Sequence, residues 1–250
     1  MRCFLVNFSI LFKYSKKKSI FPNMKFIILA VIFIISCSQE DDKSIGHFNP
    51  NIAYGSFTDS RDNKNYRTVV IGTQTWMAEN LNYDGPADSL IGMCIGEFGV
   101  IYPTLVDSGD GCSIYGRLYN WETAMTICPS GWRLPSVADW GQLLRYVDGT
   151  SGTVAIFNSS IAGEHLMAAS GWPNCGPSGS GASYLCEDTY GFSALPGGIG
   201  DLESGSFGYV YGAGFWWLVS ESFIMFIIRG EAGFQLRSDG MLIYVRCIQE

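Results

Sequence analysis

The sequence predicts an α+β domain, stapled by disulfides and rich in loops, behind an exported leader. Three observations carry this reading. Runs of β-branched and aromatic residues fill residues 54–78 and the last sixty positions, and a capped amphipathic pattern stands between them, so strands flank helices. Downstream of the leader the cysteines form an even set, Cys94, Cys112, Cys128, Cys175, Cys186 and Cys247. Glycine (30 residues) and aromatics (14%) are abundant while charged residues reach only 16%, a balance that favours aromatic packing and turns over a helical bundle.

The leader is the run Met24 to Cys37: one lysine, ten apolar residues, then Ser36-Cys37. Ten apolar residues make about 15 Å of helix, roughly half of a bilayer core, which suits a secretory signal better than a membrane span. The ending Ile34-Ile35-Ser36-Cys37 resembles the lipobox of bacterial lipoproteins, which implies cleavage before Cys37 and acylation of that residue. The expectation is therefore a lipid-anchored protein of the outer membrane or cell surface. Met1 to Asn23 carry Lys16-Lys17-Lys18 and no globular pattern, so Met24 is the expected start. Residues 1–36 are read as signal region, 37–53 as lipidated flexible tether and 54–250 as the domain. Ser38 to Lys43 is too polar and acidic to build a core, and it is also similar to the short acidic signals that send lipoproteins to the cell surface in the Bacteroidetes group.

Charge narrows the partners. The chain has 16 Lys+Arg and 23 Asp+Glu, and the first 36 residues hold six of the bases and none of the acids. Cleavage would leave 10 minus 23, a net charge of −13. Such a chain lacks the basic footprint of nucleic-acid or anionic-surface binding. In an oxidising compartment six cysteines read as three disulfides, for which 15 pairings exist. Locality suggests Cys94–Cys112 and Cys175–Cys186, each closing a Gly-rich loop, which leaves Cys128–Cys247. No CxxC is present and the chain has two histidines, so no metal site or cofactor is expected.

Taken in order, Gly55 to Asp59, Tyr66 to Gly72 and Gln74 to Ala78 predict a hairpin and a third short strand. Asp59 and Asp62 sit in the intervening turn, without the later carboxylates of a calcium loop. Residues 84–116 read as a long loop, and Asp107 and Asp110 within it as solvated acids. Helical spacing is predicted over 118–125. Ser136, with Asp139 three residues on, predicts a capping box opening a helix that buries Trp140, Leu143, Leu144 and Val147. A short helix is expected over 163–169 and a Gly/Ser/Pro loop over 170–190. Strands are then expected at 192–195, 215–219, 223–229, 233–237 and 242–247.

Several blocks carry a resemblance: Thr68 to Tyr83, Tyr115 to Ala124, Cys128 to Ser136 with Asp139-Trp140, Tyr190-Gly191-Phe192-Ser193-Ala194-Leu195-Pro196-Gly197-Gly198, and Val245-Arg246-Cys247. Together, over roughly residues 55–249, they resemble the Fibrobacter succinogenes major paralogous domain. That family looks like a variant of the C-type lectin-like fold. The resemblance implies two main helices around a twisted antiparallel sheet and a long-range disulfide coinciding with Cys128–Cys247. It also implies an exported protein, often a lipoprotein. Two stretches depart from the family pattern: the span between Cys94 and Cys112 is longer and partly apolar, and 222–228 is more apolar.

The expected function is a non-catalytic binding module for a glycan or a surface protein. Tyr209, Tyr211, Trp216 and Trp217, with Phe215 and flanking glycines, are the candidate ligand-binding rings, since flat aromatics on Gly-rich loops stack on sugar faces. Because Trp216 and Trp217 are neighbours on a predicted strand, one of them is expected to point inward. Two alternatives stand beside this reading. Phe223 to Ile228 as a partner-facing strand would make the protein a structural subunit of a surface assembly. Trp132-Arg133-Leu134-Pro135 with Asp139-Trp140 is similar to a signature of formylglycine-generating enzymes, but those need reactive cysteines, and each cysteine here has a disulfide role. No catalytic residue is expected. Arg117, Trp121, Trp132 and Trp140 are read as scaffold.

Overall fold

The computed structural model describes residues 2–3, 37–38, 47–85, 92–95, 111–151, 158–176 and 180–250. The chain divides into two compact units, Met1–Lys43 and Ser44–Glu250. In the first, strands β1 (Arg2–Cys3) and β2 (Cys37–Ser38) pair antiparallel. The leader run Met24–Ser36 and the acidic run Gln39–Lys43 lie outside the described residues, as do Asp107 and Asp110.

The second unit is mixed helix and sheet, mostly sheet, and carries three disulfides. Strands β3 (Gly55–Thr58), β4 (Asn65–Ile71) and β5 (Gln74–Met77) form the predicted meander, with Phe57 opposite Tyr66 and Val69 opposite Trp76. The turn between β3 and β4 is held by Asp59, fully buried, which accepts from Arg61 Nε (2.9 Å) and Nη2 (2.6 Å). A short helix, α1 (Gly111–Tyr115), ends the segment read as loop. Strand β6 (Leu118–Tyr119) follows, then α2 (Trp121–Ala124), capped by Asn120, whose Oδ1 accepts from Thr123 N at 2.9 Å. Helical spacing therefore places the helix start too early. Leu118 and Tyr119 are both fully buried, and sheet pairing overrides the local pattern there.

Strand β7 (Trp132–Arg133) leads into α3 (Val137–Asp148), which carries the predicted capping box. Asp139 N donates to Ser136 Oγ, and Ser136 N donates to Asp139 Oδ2 at 2.7 Å. Arg133 grips the same carboxylate at 2.6 and 2.9 Å. Burial pushes the Asp139 carboxyl up, but Arg133 and Ser136 outweigh it and hold the group at about 2. The helix stops at Gly149, which takes the left-handed conformation (φ 68°). Helix α4 (Ala162–Leu166) is the short helix expected near 163. Among the described residues only α3 exceeds five residues, so one main helix stands where the resemblance implied two.

The C-terminal strands are β8 (Ile199–Asp201), β9 (Phe207–Gly208), β10 (Ala213–Trp216), β11 (Phe223–Ile228), β12 (Glu231–Leu236), β13 (Met241–Tyr244) and β14 (Ile248–Gln249). One sheet runs β12-β11-β10-β13-β8-β9 with β6 also on β13, and the other runs β3-β4-β5-β14-β7. The pairings are antiparallel except β10 with β13, which is parallel. Residues 192–195 form no ladder strand. Gly191 (φ 70°) and Ser193 (φ 52°) turn the chain away from extended geometry, and only Ala194 makes a bridge, to Met167. The next two glycines of that block are also placed by geometry. A Cβ on Gly198 (φ 69°) would lie 2.2 Å from the Gly208 carbonyl oxygen, and one on Gly197 2.5 Å from the Tyr244 ring.

Alternation along β10 and β13 explains the core. Trp216 and Tyr244 enter one buried cluster with Trp76, Trp140 and Phe192, while Phe215, Trp217, Ile243 and Val245 enter a second. Both faces of these strands are covered, so neither parity of side chain reaches solvent. In the first cluster Trp76 and Trp140 meet tilted, 4.7 Å apart, and Phe192 and Trp216 complete a tilted and edge-on group with separations up to 6.1 Å. The apolar β11 is interior to its sheet, between β10 and β12, with Ile224, Met225 and Ile227 fully buried. The disulfides join Cys94 to Cys112, Cys175 to Cys186 and Cys128 to Cys247, as read by locality.

Residues 47–53, read as tether, pack on the domain. Asn49 donates to the Asp188 and Glu187 carbonyls through Nδ2, Phe48 meets Tyr54 edge-on at 5.5 Å, and Arg67 lies 4.2 Å over the Phe48 ring. Asn49 and the Phe48 ring tie this short segment to the domain, which composition alone does not show.

Candidate functional site

The candidate ligand-binding rings divide. Trp216 is fully buried and its Nε1 donates to Asn80 Oδ1 at 2.8 Å. Trp217 is 1% exposed and its Nε1 donates to the Tyr119 carbonyl at 2.7 Å. Neither can stack on an external ligand, because the sheet that holds them is covered on both faces. Tyr209 is 62% exposed, in the left-handed region (φ 58°), and packs edge-on against Phe215 at 5.7 Å. Tyr211 is half-buried (φ 68°). Cys37 is described through its backbone in β2. Among the acids, Asp201 accepts from Ser204 N (2.7 Å) and Oγ (2.6 Å) in an exposed turn, and Glu187 Oε2 lies 3.1 Å from His165 Nδ1.

The structure brings a different set together. A cleft of ≈ 280 Å³ is lined by His47 and Phe48 from the N-terminal segment, Lys64 and Tyr66 from the first hairpin, Glu79 and Asn82 after β5, Ser113 and Ile114 of α1, and the buried Asn80 and Arg246. The meander positions most of these groups: β5 ends at Met77, and the chain beyond it runs back beside β4, where Glu79 Oε1 accepts from Arg67 N at 2.7 Å. Tyr66 Oη accepts from Asn82 N at 3.0 Å, and Lys64 Nζ donates to the Asn82 carbonyl. Asn82 Oδ1 is buried and has no partner among the described residues. The cleft thus joins apolar walls (Phe48, Ile114, Leu195) to an ammonium, a carboxylate and an unused amide oxygen.

Beneath it lies a buried polar hub. Arg246 is 1% exposed; its Nε (3.0 Å) and Nη2 (2.7 Å) both donate to Asn80 Oδ1, and Nη1 donates to the Phe192 carbonyl. Its guanidinium lies 4.4 Å from the Phe192 ring centroid and 5.7 Å from that of Trp216. Asn80 Nδ2 donates in turn to the Tyr115 carbonyl at 2.8 Å. Burial brings the Arg246 guanidinium down to about 9, against the opposing pull of Glu79 and Asp188. Asp188, fully buried, accepts from Ser193 N (2.7 Å), Ser193 Oγ (2.6 Å) and Asn49 N (3.3 Å). Burial outweighs these bonds and pushes its carboxyl up to about 6. Burial also lowers the His47 imidazole below its usual value, although Ser170 opposes this. Burial raises the Glu79 carboxyl despite Arg67.

The described residues contain no cluster of three or more His, Cys, Asp or Glu able to hold a metal ion. Reading the sequence for aromatic rings missed the cleft. Its most informative residues, Glu79, Asn80 and Asn82, sit inside the block Thr68–Tyr83 that carries the family resemblance, but their convergence with Arg246 and His47 requires the fold.

No curated protein and no solved structure matches the chain. The model of the Fibrobacter succinogenes major domain matches residues 69–249. This match runs from within β4 through the helices and the larger sheet to β14, and the chain belongs to the Fibrobacter succinogenes major domain family.

Proposed function

We propose that this protein is a non-catalytic glycan-binding module in a C-type lectin-like fold, carried at the cell surface on a lipid anchor at Cys37. The observation that carries the reading is the cleft between His47, Asn82 and Ile114. Apolar walls stand there beside donors and acceptors in the mixture that sugars need, and Asn82, whose amide oxygen has no partner among the described residues, lies on the lining. The titratable groups around it are engaged in the fold: Glu79 with Arg67, Arg246 with Asn80, and His47 with Ser170 at 2.9 Å. Pairing of the six domain cysteines removes the thiolates that an oxidase chemistry would need. Anchoring rests on the lipobox-like ending at Cys37.

The experiment is a glycan and polysaccharide array probed with the full chain, exported from an oxidising host, with and without EDTA. Binding to a defined glycan that falls at least about tenfold in Asn82→Ala, at unchanged melting temperature, supports the reading. A blank array with folded protein, or binding indifferent to Asn82→Ala, contradicts it.

A further inference from the structure

A second cleft, of ≈ 300 Å³, lies between α2 and the connection from β12 to β13 and is lined by Trp121, Glu122, Leu202, Arg237 and Asp239. It shares no residue with the cleft at His47. Arg237 stands 4.7 Å over the Trp121 ring. Two of its groups are anomalous. Trp121 Nε1 and Arg237 Nη1 are both shielded from water, and neither has a hydrogen-bond partner among the described residues. Buried N–H donors are nearly always paired, and an orphan is a standing cost. Two such donors on the lining of one cleft, one of them on a guanidinium, favour an anionic acceptor.

We propose that this cleft binds a sugar acid of the hexuronate type, with Trp121 Nε1–H and Arg237 Nη1–H donating to its carboxylate. A carboxylate offers these donors an acceptor and supplies the counter-charge that strengthens a guanidinium hydrogen bond. The hydroxyl part of the ligand follows from two acids on the same lining. Glu122 and Asp239 are exposed acids on the same cleft. They repel a bare carboxylate but accept from hydroxyls adjacent to one. A neutral sugar leaves the guanidinium unmatched, and a simple carboxylate gives Glu122 and Asp239 nothing. The ligand class is therefore a uronate unit of an acidic polysaccharide. This assignment stands independently of the cleft at His47.

The test titrates the full chain with glucuronate, glucose and acetate, read by tryptophan fluorescence and by the indole N–H resonances. Glucuronate is expected to saturate, with glucose and acetate at least about tenfold weaker. Arg237→Gln is expected to weaken glucuronate by about tenfold, and Trp121→Phe, which keeps the ring and loses the donor, by about threefold. Asn82→Ala is expected to leave it unchanged. Near-UV circular dichroism confirms that each variant is folded. No response to glucuronate, equal binding of glucose or acetate, or glucuronate binding unaltered in both cleft variants overturns the proposal.

Discussion

Replacing Asn80 by Ala strikes the polar hub at its centre. One oxygen, Asn80 Oδ1, accepts from Arg246 Nε, Arg246 Nη2 and Trp216 Nε1 at 3.0, 2.7 and 2.8 Å, and the amide also donates to the Tyr115 carbonyl. Asn80→Ala leaves a fully interior guanidinium with the Phe192 carbonyl and two aromatic faces, and strands an indole N–H and a carbonyl as well. Losing a hydrogen bond to a buried charge costs about 1.5–3 kcal/mol, and the stranded indole N–H and carbonyl add about 1–3 kcal/mol without summing simply. We expect a loss of about 4–5 kcal/mol, a large part of the stability of a domain this size. Urea unfolding followed by fluorescence reads it as a midpoint lowered by about 2 M, for a slope near 2 kcal/mol/M. Asn80→Asp separates charge from shape: it keeps the Oδ1 acceptor and supplies a counter-charge, but its second oxygen replaces the Nδ2 donor and cannot donate to the Tyr115 carbonyl. Its expected loss is about 1–2 kcal/mol. An Asn80→Ala protein within about 1 kcal/mol of the parent would refute the hub, and equal damage from Asp and Ala would refute the electrostatic part.

Three further predictions follow from the same structure. Replacing Cys128 and Cys247 together by Ser opens a bridge spanning 119 residues, and the chain-entropy view gives a loss of about 4–5 kcal/mol, measurable by urea unfolding; a loss under about 1 kcal/mol would show the bridge to be dispensable. Asp188, whose carboxyl is raised to about 6, holds its proton more tightly folded than unfolded, so its stabilising contribution is complete below about pH 4 and is lost as pH rises through about 6. The stability of the parent relative to Asp188→Asn should therefore fall by about 2 kcal/mol between pH 4 and pH 7, and a flat difference would contradict a carboxyl raised by burial. Gly198→Ala should destabilise by about 2–4 kcal/mol, because the left-handed backbone and the Gly208 carbonyl 2.2 Å from the new Cβ both oppose it; a melting temperature unchanged within error would show that this turn yields.

Much of the fold was legible because local signals and tertiary needs agreed. The capping box at Ser136 and Asp139, the apolar stripe of α3, the first meander and the local disulfides all use short-range chemistry visible in the sequence. The misreadings come where a distant partner decides. Leu118 and Tyr119 follow helical spacing but are claimed by β13. Phe192 to Leu195 has strand composition, but Asp188 holds Ser193 in a positive-φ turn. The candidate rings Trp216 and Trp217 failed for a related reason. Alternation says that one neighbour faces out only when a strand has a free face, and β10 has none. The cleft itself assembles from His47, the β4–β5 meander, α1 and Arg246, up to 199 positions apart in the sequence, and no spacing pattern encodes that convergence. The orphaned donors of Trp121 and Arg237 are likewise a property of the folded surface.

The central claim is that the domain binds glycan through the cleft beside Asn82, and the most direct measurement is an affinity titration of the best array-selected oligosaccharide against the parent chain and Asn82→Ala. The account predicts saturable binding by the parent, insensitive to EDTA, and weakened at least about tenfold by a substitution that leaves the melting temperature where it was. Equal affinity of the two proteins would place the ligand elsewhere and contradict the account.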